Sequence, residues 1–189
     1  MKKGSVILIA VLAVVAVIVI ALVGGYNSMV DAQTDVEQKQ ADIQTQLQRR
    51  ADLIPNFVAT VKGYSDYEQS TLQAVTEARA AVGRATTAES MAQADEQLDK
   101  AISVWVNAVT EAYPDLKANQ NYIALQDELA GTENRIAVAR QDYNESAKEY
   151  NAMIRRFPKS LLAGMFGFEK VSYFEASAGA EEVPTVSFG

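Results

Sequence analysis

Residues 6–23 are Val, Ile, Leu or Ala without exception, and behind them the chain changes to apolar positions spaced at a helical period. As a helix rising about 1.5 Å per residue, the first run with its flanks Ser5 and Gly24-Gly25 spans roughly 30 Å, the thickness of a bilayer core. An apolar surface on every side over that length disfavours a buried soluble helix. A secretory leader has a shorter apolar region, about 7–15 residues, and ends at a small-residue cleavage site. Val23-Gly24-Gly25 matches such a site poorly. The pattern therefore predicts a transmembrane anchor over residues 6–25.

Beyond it, Ile43, Leu47, Arg50, Ile54, Phe57, Val61 and Tyr64 recur at steps of four and three, one face of an α-helix. Pro55 falls in this helix and predicts a kink near Ile54–Pro55 rather than a reversal. Gly63 is the expected stop, and Ser65-Asp66-Tyr67-Glu68 after it reads as a capping box. If Gly63 does not break the helix, the bundle has three helices instead of four. A second helix carries Leu72, Val75, Ala78 and Val82 and ends around Gly83. Thr86-Thr87-Ala88-Glu89 reads as another capping box, before a stripe of Met91, Ala94, Leu98, Ile102, Trp105 and Val109 closed by Tyr113-Pro114. The last helix starts at Asp115 or Asn119 and runs to Phe157, where Pro158 ends it. Its stripe is Gln126, Leu129, Glu133, Ile136, Arg140, Tyr143, Ala147, Tyr150, Ile154 and Phe157.

No segment behind the anchor alternates with period two over a strand's length. The expected fold is all-α: a single N-terminal transmembrane helix, then an antiparallel up-and-down bundle of about four helices, the first and last long. The chain divides into a stub over 1–5, the anchor over 6–25, the bundle over 26–168 and a flexible tail over 169–189. An even number of antiparallel helices returns the chain to the membrane side. There it meets a short apolar segment between Lys159 and Lys170, with Leu161, Leu162, Met165, Phe166 and Phe168. These residues are a candidate membrane-proximal segment, which either covers the open end of the bundle or lies in the headgroup interface.

Charge adds an orientation. The chain has 17 Lys+Arg against 24 Asp+Glu, a net −7. Setting aside Lys2 and Lys3, which precede the anchor, leaves 15 against 24, or −9. The positive-inside rule places the N-terminus in the cytoplasm and residues 26–189 outside it. The acidic body argues against a nucleic-acid partner, because phosphate binding needs concentrated Lys and Arg.

Composition also narrows the chemistry. With no His and no Cys there is no Ser-His-Asp or Cys-His pair, no imidazole or thiolate zinc site, no disulfide and no lipobox acceptor. The Glu-x-x-His motif of di-iron bundles is excluded for the same reason, and Gly24-Gly25 follows no strand that would make it a phosphate loop. Asp95-Glu96, Asp127-Glu128 and Glu181-Glu182 read as solvated helix faces, since acid/base work needs carboxylates set apart by a cleft. No catalytic residue, cofactor or metal is assigned.

More informative are charges that interrupt the apolar stripes. Arg50, Glu133 and Arg140 occupy stripe positions, and a buried unpaired charge is costly, so they are expected to meet one another or reach the surface along their stems. They form either a polar layer that fixes helix register or a notch for a ligand or a partner's side chain. Tyr143-Asn144 and Tyr150-Asn151 lie seven residues apart, both tyrosines on one helix face. They read as helix packing rather than substrate recognition.

Several longer motifs fall in order across 26–168: Arg49-Arg50-Ala51-Asp52-Leu53-Ile54-Pro55-Asn56-Phe57-Val58, Thr60-Val61-Lys62-Gly63-Tyr64, Tyr113-Pro114-Asp115-Leu116-Lys117-Ala118-Asn119 and Thr132-Glu133-Asn134-Arg135-Ile136-Ala137, then Ala139-Arg140, the two Tyr-Asn pairs and Phe157-Pro158. In these the chain resembles the LemA family of bacterial membrane-anchored helical proteins. Gln40 departs from the family's frequent large aromatic, so looser packing is expected on that helix face. The resemblance implies one N-terminal anchor in the bacterial cytoplasmic (inner) membrane and a helical-bundle domain. It brings no accepted enzymatic activity and no catalytic residues. Its motif positions Arg50, Asp52, Pro55, Asn56, Glu133, Arg140, Tyr143, Asn144, Tyr150 and Asn151 are candidates for packing or for a partner surface. The expected role is a non-enzymatic interaction or scaffolding module at the cell envelope. Its partners would be the membrane through one span, other membrane or envelope proteins and a second copy of itself, with no nucleic acid and no small-molecule substrate. An extracytoplasmic ligand-sensing or ligand-binding domain is the alternative.

Overall fold

A computed structural model describes residues 3–62 and 69–175, and every regular element in them is helical. In chain order these are α1 (Lys3–Lys62), α2 (Gln69–Arg84), α3 (Ala88–Ala112), a 3-10 turn (Pro114–Ala118), α4 (Gln120–Met153) and α5 (Lys159–Phe166). The all-α class expected from the stripes is the observed one. The Gly63 stop, the Ser65–Glu68 capping box and the tail from residue 176 lie outside the described residues. Those described form two compact units, residues 3–39 with 144–171, and residues 40–62, 69–143 and 172–175. α1 and α4 contribute to both.

The larger unit is built from the apolar stripes. Ile43, Leu47, Ile54, Phe57 and Val61 of α1, Met91, Leu98, Trp105 and Val109 of α3, and Leu129 and Ile136 of α4 are all buried. Cross-helix pairs give the directions. Gln40 of α1 donates from Nε2 to the carbonyl of Thr86 at 2.6 Å, just before α3, and Phe57 meets Trp105 edge-on at 5.1 Å, so α1 and α3 run parallel. Arg49 reaches Glu128 at 2.7 Å, while Phe57 packs on Tyr122 at 5.2 Å, so α4 runs opposite to α1. α1 and α3 thus share one direction and α4 runs against both, as in an up-and-down bundle. Gln40, on the helix face expected to pack more loosely, thus anchors the α2–α3 connection.

The helix ends follow from their caps. Thr87 has extended backbone at φ −110° and ψ 157°, and its hydroxyl accepts from the Ser90 amide while the Ser90 hydroxyl accepts from the Thr87 amide. The capping box therefore sits one residue later than the Thr86–Glu89 spacing suggests, because the Ser90 hydroxyl takes the role expected of Glu89. Asn119 accepts on Oδ1 from the amides of Asn121 and Tyr122, which starts α4 at Gln120. Pro55 is exposed within α1, and the helix carries on through it to Lys62.

In the smaller unit, α1 contains an 18-residue stretch of mean hydropathy 3.4 with none of it buried. It is the one helix among the described residues long and apolar enough to cross a membrane. α1 does not stop at Gly24-Gly25. A Cβ on Gly25 would stand 3.1 Å from the Cδ1 of Leu162, so the missing side chain lets α5 approach α1 closely. Asp35 accepts from the Ser146 hydroxyl. α4 ends at Met153, four residues before the expected Phe157, and Phe157 is 80% exposed rather than on the buried stripe. The cause is Pro158. A residue before proline is pushed out of the α region, and the bonds Arg155 to Ala152 and Arg156 to Met153 show the last turn already tightened to i, i−3. α5 closes on Gly167 at φ 76°, a left-handed position that favours glycine, with the Phe168 amide bonded to the Ala163 carbonyl.

Phe57, Trp105 and Tyr122 form the aromatic centre of the larger unit. Trp105→Ala is expected to destabilise it by about 3–5 kcal/mol. The buried Trp105 Nε1 meets no acceptor among the described residues, so Trp105→Phe, which keeps a ring and removes that donor, should cost far less. Denaturant titration of the full chain in detergent checks both.

Candidate functional site

Arg50 stands on the core-facing side of α1 and is 4% exposed. A guanidinium there needs anions, and three carboxylates supply them. Its Nη1 meets Asp95 Oδ1 at 2.8 Å and Glu133 Oε2 at 2.6 Å, and its Nη2 meets Asp99 Oδ1 at 2.6 Å. Asp95, itself 3% exposed, uses its other oxygen to accept from Arg140 Nη2 at 2.5 Å. The Arg140 guanidinium also lies 5.5 Å from the centre of the Phe174 ring. Two cations and three anions from α1, α3 and α4 therefore share one network. Arg50 and Asp95 lie inside it, Arg140 is half-buried, and Asp99 and Glu133 stand at its wet rim.

The pairing of Arg50 with Glu133 follows from their stripe positions. The central acceptor does not match its sequence reading. Asp95 had the look of a solvated helix face beside Glu96, yet it is the buried hub. The signal was present: Asp95 is four residues after Met91 and three before Leu98, both stripe residues. Alternation of three- and four-residue steps admits Asp95 as readily as Ala94. Asp99, four residues further on, follows the same row.

The Tyr-Asn pairs are interior features. Tyr143 is buried, donates its hydroxyl to the Ser172 carbonyl at 2.9 Å and stands perpendicular to Phe174 at 5.1 Å. Tyr150 is buried as well, and Asn144 is half-buried. Asn151 pairs in both directions with the Val171 backbone, at 2.9 and 3.0 Å. Residues 171–174, on the sequence side assigned to the tail, thus hold specific bonds. Burial raises the pKa of Tyr122, Tyr143 and Tyr150 above 10.0. For Tyr122 the bond from Gln126 works against this rise, and for Tyr150 the charges of Glu37 and Glu169 add to it.

Asp52, Pro55 and Asn56 lie on the exposed side of α1. Asp52 accepts from Gln48 at 2.8 Å and has Arg79 of α2 at 3.6 Å. The candidate partner positions accordingly divide: Arg50, Tyr143, Tyr150 and Asn151 are inside, while Asp52, Pro55, Asn56 and Glu133 present surface. Of the apolar segment, Leu162 is buried, Phe168 half-buried, and Leu161, Met165 and Phe166 exposed. Among the described residues no three carboxylates gather to hold a metal; those that do converge surround a guanidinium.

The profile of the LemA family matches residues 39–188. Magnetosome protein MamQ 2 of Paramagnetospirillum magneticum is 28% identical, with 90% of this chain and 72% of that protein covered. Magnetosome protein MamQ of Magnetospirillum gryphiswaldense is 27% identical over 98% of this chain and 78% of its own. Protein LemA of Metamycoplasma hominis is 27% identical, covering 82% and 71%.

Removing one member of the buried network strands the others. Asp95→Ala is expected to cost about 3–5 kcal/mol, whereas Asp52→Ala on the exposed face should stay within about 0.5 kcal/mol; thermal and denaturant unfolding separate them. The tyrosines set an alkaline limit. A phenol whose folded pKa is raised binds its proton more tightly in the native state, so its contribution is complete below pH 10 and is lost as pH rises from there through the folded value. Tyr143→Phe should flatten the fall in stability above pH 10, measured as melting temperature against pH.

Proposed function

Because the chain belongs to the LemA family, we propose that it is a single-pass membrane protein whose helical bundle works as a non-enzymatic interaction or scaffolding module at the cell envelope. The bundle lies outside the cytoplasm in this reading, with Lys2 and Lys3 on the inner side. The observation that carries it is α1 itself. One uninterrupted helix, Lys3–Lys62, begins as a bare apolar run and ends as a core face of the bundle.

The distribution of charge supports surfaces over a reaction. Arg50, Asp95 and Arg140 are engaged with one another, and a buried carboxylate held between two guanidiniums lacks the open access to a substrate that acid/base catalysis requires. What remains for recognition is the outer side of α1, with Gln48, Asp52 and Asn56 at steps of four. A polar row of this kind pairs with complementary polar or charged side chains of a partner at the rim of an interface.

Photo-crosslinking in the native membrane tests this. A probe at Asp52 and at Asn56 should capture one and the same envelope protein, and Asp52→Lys should abolish capture from Asn56. Probes at the buried Arg50 and Tyr143 should capture nothing. Capture of only this chain at both surface sites would replace docking with self-assembly. A small-molecule-dependent rise in melting temperature without any capture would favour the ligand-sensing alternative.

A further inference from the structure

α5 packs against α1 where the apolar run ends. Leu162 closes on Gly25, and Tyr26 meets the rings of Phe166 and Phe168 edge-on at 4.9 and 5.6 Å. A groove of about 440 Å³, lined almost wholly by apolar atoms, lies between Leu22 and Val23 of α1 and Leu161 and Met165 of α5. These contacts cover α5 only in part. Leu162 and Ala163 are buried, whereas Leu161, Met165 and Phe166 remain 61%, 77% and 57% exposed. Leu161 and Met165 are one turn apart and so form a bare apolar row.

That row is continuous with the bare surface of Leu22 and Val23, so the medium that covers the end of the span covers α5 too. A span of this length fills the hydrocarbon core, which puts its final turn, and whatever packs on it, at the headgroup boundary. Charge points the same way. Between residues 154 and 170 there are four basic residues, Arg155, Arg156, Lys159 and Lys170, against one acidic, Glu169, giving +3 in a chain of net −7. A short apolar helix with basic flanks is the composition of an interfacial segment on an anionic surface.

We propose that α5 is a lipid-docking helix. Its Leu161–Met165–Phe166 face enters the acyl–headgroup boundary of an anionic bilayer, and Arg155, Arg156 and Lys159 meet the lipid phosphates. This gives the protein a second membrane contact beside its span, and it rests on the anchor reading of residues 6–25.

The chain has no cysteine, so single bimane labels can be placed on the full-length protein at Met165→Cys, at Val15→Cys within the span and at Gln44→Cys on the exposed side of α1. The protein is reconstituted in vesicles of phosphatidylethanolamine with one quarter phosphatidylglycerol. The Met165 label should be quenched by lipid carrying a shallow nitroxide and shielded from iodide, and the Gln44 label should show the reverse. Arg155→Glu, Arg156→Glu and Lys159→Glu together, or phosphatidylcholine in place of both lipids, should weaken lipid quenching at Met165 and leave Val15 unchanged. Iodide quenching of Met165 equal to that of Gln44 overturns the proposal. Shielding from both quenchers also overturns it, since a protein surface or a second copy then covers α5. No response to the charge reversal or to the lipid change removes the anionic lipid from the account. A Val15 label that lipid does not quench fails the anchor reading itself, whereas failure at Met165 alone leaves that reading standing.

Discussion

A guanidinium on the apolar face of a helix sets the strictest condition in this protein. Arg50 gives up its hydration on entering the core, and neither Leu47 nor Ile54 beside it on the stripe can replace a hydrogen bond. The fold answers with Asp95, Asp99 and Glu133, and with Arg140 on the far oxygen of Asp95. These partners come from different helices at fixed heights. Sliding α3 by one turn relative to α1 would carry Asp95 about 5.4 Å away and put either Met91 in its place or Ser103 in that of Asp99, so the cluster would lose a carboxylate in either direction. Apolar packing alone does not penalise such a slip, because Ile, Leu and Val stripes repeat at the same period. An apolar substitute for a buried ion cluster is often equally stable; what the cluster adds here is a single register.

That condition bears on function. Inside the bundle Arg50, Asp95 and Arg140 are engaged with one another in alignment. In the proposed reading, recognition belongs to the outer positions, where Asp52, Pro55 and Asn56 share the exposed side of α1. Membership in the LemA family and likeness to MamQ proteins fit a membrane-associated chain, and the bare apolar start of α1 supplies the anchor.

Much of this was legible in the sequence because the signals were long and periodic. The unbroken run at 6–23 and the three- and four-step stripes led directly to one membrane helix and an all-α body. Helix starts were readable where a side chain does the capping, as at Asn119. Ends were less so: α4 stops at Met153 because Pro158 disturbs the turn before it, an effect that reaches back further than the proline itself. The candidate site was half legible. Arg50, Glu133 and Arg140 stood out as charges on a stripe, but Asp95 was hidden by its neighbour Ala94, which satisfied the same periodicity. Tyr143 and Asn151 read as packing positions and are buried, but their bonds to the backbone of Ser172 and Val171 were not legible; those bonds join residues more than a helix turn apart in sequence, where no local pattern foretells them.

The central claim is that Arg50 and Asp95 act as a coupled pair that fixes the bundle. A double-mutant cycle with Arg50→Met and Asp95→Leu measures this directly in the full-length protein. The account predicts a coupling energy of about 1–3 kcal/mol, with the double variant more stable than either single one. Additive losses would mean that the two side chains contribute separately, and the register account would then fail.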